Sequence, residues 1–63
     1  MTTYVITVNP SAPGSANLAE ALSKLDERMD MISKSEIHVT ASERDVLKIA
    51  FEYPDAVMKV ETL

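Results

Sequence analysis

Residues 42–56 read Ser42-Glu43-Arg44-Asp45-Val46-Leu47-Lys48-Ile49-Ala50-Phe51-Glu52-Tyr53-Pro54-Asp55-Ala56. The fold turns on whether this stretch is a strand or a helix. With Pro54 and Asp55 at the centre of a turn, Leu47, Ile49, Phe51 and Tyr53 fall opposite Thr62, Val60, Met58 and Ala56 on one face. Lys48 falls opposite Glu61 on the other. One register gives both an apolar face and an opposite-charge pair, which is the pattern of a β-hairpin. Read instead as a helix, Ser42 and Asp45 form a capping box, Val46, Leu47 and Ala50 share a face, and Pro54 ends the element. That reading sends Ile49 and Phe51 to divergent sides and leaves Lys48 without Glu61. The hairpin, with strands over Val46–Tyr53 and Ala56–Leu63, is preferred.

Upstream, Ile37, Val39 and Ala41 alternate with Glu36, His38 and Thr40, predicting a half-buried strand. A loop at Ser42-Glu43-Arg44 keeps the apolar faces together if it has an odd length or a bulge. Earlier still, Leu18, Leu22, Leu25, Met29 and Ile32 are spaced 4, 3, 4, 3, one helical stripe, with Glu20, Lys24, Glu27 and Asp30 away from it. Asn17 and Glu20 read as a capping box, with Ser15 the competing cap, so the helix is expected from about Asn17 to near Ser33. Thr3–Asn9 is short, β-branched and aromatic, and reads as a strand. Asn9-Pro10 ends it, and Pro10–Ser15 forms a stiff loop. The expectation is a single α+β domain over residues 1–63. One helix packs on one face of a small four-stranded sheet in β-α-β-β-β order, with the first strand beside the second or the fourth and parallel to it.

Composition bounds the function. The chain has 63 residues, 46% apolar and 25% charged, with no cysteine and one histidine. Disulfides and thiolate metal sites are therefore excluded. So small a core rarely supplies more than about 3–5 kcal/mol, which favours close packing or self-association. The net charge of −4 is interleaved along the chain, and its six Lys and Arg form no basic stripe, so no nucleic-acid role is expected. No apolar run approaches the ~18 residues of a membrane span, and no leader is recognisable at Met1-Thr2-Thr3-Tyr4. A cytoplasmic location is expected.

No catalytic constellation emerges. His38 lies on the polar side of its strand; it reads as a solvated or interface histidine, or as a general base completed by another subunit's carboxylate. Asp26 and Asp30 read as like charges on a helix surface. The Pro10–Ser15 loop carries only Gly14 and no lysine, a poor phosphate cradle. No catalytic residue, cofactor site or metal site is assigned, and no stretch carries a family signature. The sheet face left uncovered by the helix is the most suggestive feature, with Val5, His38, Ala50 and Val57 as candidate interface residues. The expected function is a non-enzymatic protein-interaction module, a regulator or inhibitor of a larger protein that also self-associates. The alternative is an oligomeric small-molecule binder or small enzyme whose site is shared between subunits.

Overall fold

A computed structural model describes all 63 residues. The elements run β1 (Thr2–Val8), α1 (Ser15–Leu25), β2 (Asp30–Ser33), β3 (Glu36–Ala41), α2 (Glu43–Glu52) and β4 (Val57–Thr62). The α+β class stands; the single helix and the β-α-β-β-β order do not. There are two helices, and the four strands are ordered β2-β3-β1-β4 in one sheet. β1 pairs with both β3 and β4, antiparallel to each, and β2 pairs antiparallel with β3. The first strand is therefore central, not parallel to a neighbour as expected. Two split β-α-β units interlock: β3 lies between β1 and β2, and β1 lies between β3 and β4. This is the ferredoxin-like layout, which serves many unrelated functions.

Residues 43–52 form a helix because its start is capped and charged correctly. The Asp45 N–H donates to Ser42 Oγ at 3.3 Å, and Glu43 and Asp45 place negative charge in the first turn. Leu47, Lys48, Ala50 and Glu52 are also better suited to a helix than to a strand. Val46 is the fully buried anchor; Ile49, Ala50 and Tyr53 are half-buried. The turn expected at Tyr53–Ala56 exists, but it joins α2 to β4. The Ala56 and Val57 N–H groups both donate to the Tyr53 carbonyl. Lys48 does not meet Glu61, whose partner is Lys59 at 3.4 Å.

α1 is shorter than its apolar stripe. Leu18 and Leu22 are fully buried and Leu25 partly so, but the helix ends at Leu25. Asp26 turns extended there, and its carboxylate accepts from the Arg28 N–H at 3.0 Å and the Thr40 N–H at 2.9 Å. A side chain that engages nearby main chain in this way competes with helix continuation. Met29 packs against the core from the following turn, while Ile32 lies on β2 and is 55% exposed. Gly14, not Asn17, is the N-cap residue of α1, and no side chain caps that end.

The core is one cluster between the sheet and the helices. Tyr4, Ile6 and Val8 of β1 and Ile37, Val39 and Ala41 of β3 meet Leu18, Leu22 and Val46. Period-2 burial in β1 and β3 follows directly from their alternating sequence. No helix is long and apolar enough to cross a membrane.

Candidate interaction surface

The helices cover one sheet face and leave the other open. The alternation places Thr3, Val5 and Thr7 of β1, Glu36, His38 and Thr40 of β3, and Lys59 and Glu61 of β4 on the open face. The registers set Val5 beside His38 on one side and Glu61 on the other. Polar groups there are mutually satisfied. The Thr3 and Thr40 hydroxyls are 2.8 Å apart, and His38 Nε2 lies 2.7 Å from Glu36 Oε2. The carboxylate engaging His38 is thus its own strand's.

Of the four residues proposed for an interface, the structure brings together only two. Val5 and His38 are adjacent and half-buried on the open face. Ala50 lies half-buried on α2, and Val57 packs against the core at the start of β4. The mixed surface expected from a hairpin over 46–63 does not form, because half of that hairpin is a helix.

The sheet has two edges of unlike character. β2 is four residues long, wholly exposed, and its pairing with β3 is irregular between Met31 and Ser33. Although it carries the exposed Met31 and Ile32, an edge this short offers a second strand few main-chain groups. β4 has six residues, and its register with β1 is regular from Lys59 to Thr62. The Leu63 N–H donates to the Thr3 carbonyl at 2.9 Å. Lys59, Glu61 and Leu63 therefore face β1 with their main-chain groups, and Val60 and Thr62 turn theirs outward; Met58 sits at a bulge opposite Thr7 and Val8, where the alternation breaks.

Beside that edge stands an apolar flank. α1 lies over the β2 half of the sheet, its Ala16 and Ala19 sharing a shallow cleft with Met31 and Ile37. α2 therefore lies over the β4 half. The cleft between the helices is lined by Leu25 and Lys24 of α1 and by Asp45, Ile49 and Glu52 of α2. Leu47 and Phe51, four residues apart, occupy the flank of α2 turned away from α1. Phe51 is 83% exposed, Leu47 41%, and Met58 on β4 68%. The hairpin reading placed Phe51 and Met58 on the core face and so missed their exposure. The signal was present: in the helix reading, Phe51 leaves the side that carries Val46 and Ala50.

No three His, Cys, Asp or Glu side chains converge in a way that could hold a metal ion. No buried side-chain polar atom is left without a partner. Compared with known proteins, the chain matches no family model, and no curated protein is significantly similar to it.

Proposed function

We propose that this chain is a small, non-enzymatic, cytoplasmic protein-interaction module, a regulator of other protein surfaces that works through β4 and the adjoining flank of α2. One observation supports the reading above others. The chain has a single phenylalanine and only 11 buried residues, yet that phenylalanine is 83% exposed. Burying a Phe contributes about 1.5–3 kcal/mol, a large share of what so small a core supplies. A residue of that kind held in water fits an anchor for a second protein, where aromatic side chains dominate binding.

The test is Phe51→Ser. On this reading the dilute variant unfolds at an unchanged urea midpoint, and it loses self-association in sedimentation together with capture of any protein partner. A variant that is destabilised like a core truncation, or that associates as the parent does, would show that Phe51 serves the fold or nothing at all.

A further inference from the structure

We infer that the unpaired edge of β4 is built to receive β4 of a second copy, antiparallel about a two-fold axis through Val60. The inference rests on reading this flank as an interaction surface and names its occupant. An antiparallel pair of identical strands is fixed by which residue meets itself on the axis. Only residues that turn their main-chain groups outward can form the hydrogen-bonded pairs, here Val60 and Thr62 in the regular part of β4. With Val60 on the axis, Val60 pairs with Val60 of the second copy, and Thr62 falls opposite the bulged Met58. The outward N–H and C=O of Val60 then find partners across the axis.

The same register decides the side chains. Lys59 falls directly opposite Glu61 of the second copy, and Glu61 opposite its Lys59. These are non-hydrogen-bonded pairs, in which cross-strand side chains come closest. The two charges lie on the open face, 62% and 56% exposed, and so are accessible to a partner. Sliding the strands by two residues in one direction sets Lys59 against Lys59; sliding the other way sets Glu61 against Glu61. A slip by one residue brings main-chain groups that are already bonded to β1 to the seam. Among these neighbouring registers, only the one centred on Val60 joins opposite charges. On the covered face, the two α2 helices come to lie on the same side of a continuous eight-stranded sheet, with Leu47 and Phe51 of each turned towards the seam.

The experiment measures the self-association constant by sedimentation for the parent, Lys59→Glu, Glu61→Lys and the double variant carrying both. Both residues are exposed, so the variants keep the fold. Each single change puts like charges at two symmetric positions and should weaken association about tenfold or more. The double variant should regain the parent's affinity, and isotope-filtered NMR of a mixed sample should show Lys59 Hα close to Glu61 Hα of the second copy. Association that the single changes leave intact would overturn the register while the interaction reading stands. A chain that is monomeric at millimolar concentration would overturn the second copy as occupant; the interaction reading would then rest on whether Phe51→Ser abolishes capture of another protein.

Discussion

Lys59 and Glu61 project from the same face of β4 with Nζ and Oε1 3.4 Å apart, and Val60 between them is turned to the opposite face, against the core. One strand therefore does three things. Val57 and Val60 close the core under α2, Lys59 and Glu61 present charge on the open face, and the outer main chain is left unpaired.

Val57 tests the first of these roles. It is half-buried and packs against the core. Val57→Glu should lower stability by roughly 1–3 kcal/mol, because a carboxylate would enter an apolar site. The loss should be the same in dilute and concentrated samples, measured by urea unfolding. A loss that appears only at high concentration would place Val57 at an interface instead.

Leu22 should be a far more costly position on α1 than Leu25. It is fully buried, whereas Leu25 is only partly so. Leu22→Ala should cost about 2–5 kcal/mol and Leu25→Ala clearly less, as the cavity term requires enclosure. Since the whole stability of such a domain is of similar size, Leu22→Ala should leave much of the chain unfolded. Equal urea midpoints for the two variants would contradict the burial described here.

Asp26 accepts two main-chain hydrogen bonds, from Arg28 in the turn after α1 and from Thr40, the second tying the end of α1 to β3. Asp26→Ala should cost roughly 1–3 kcal/mol and speed amide exchange at Thr40 first. Unchanged protection at Thr40 would mean that the carboxylate does not hold that amide in solution.

Ser42 fixes α2. Ser42→Ala should destabilise by about 1 kcal/mol, and Ser42→Asp should retain most of the parent's stability, since either oxygen can accept from the Asp45 N–H. Helical NMR contacts through Lys48–Glu52 should persist in both.

The parts of this fold that were legible in the sequence are those in which a single local pattern decides. β1 and β3 alternate cleanly and sit where the alternation puts them. Leu18 and Leu22 are core as their spacing requires. Residues 46–53 misled because Leu47, Ile49, Phe51 and Tyr53 alternate by coincidence, and period 2 and period 3.6 are hard to separate in so short a run. The Ser42 cap, a local signal, was outweighed by a long-range pairing that does not form. The end of α1 was hidden because Met29 and Ile32 continue the helical spacing with no Gly or Pro between; the stop is a side-chain contact to Thr40, fourteen residues away. The proposed interaction surface was hidden by the same error. Val5 and His38 were placed on the correct face, but Phe51 and Leu47 become an exposed flank only once α2 is a helix.

The most direct measurement on the account as a whole is amide hydrogen exchange along β4 as a function of protein concentration. Lys59 and Glu61 donate towards β1 and should be protected at every concentration. Val60 and Thr62 should exchange quickly when dilute and become protected as the concentration rises, in step with the associated fraction. Exchange at Val60 and Thr62 that stays fast while the chain associates, or that is slow in the dilute monomer, would contradict a β4 edge held open for a second strand.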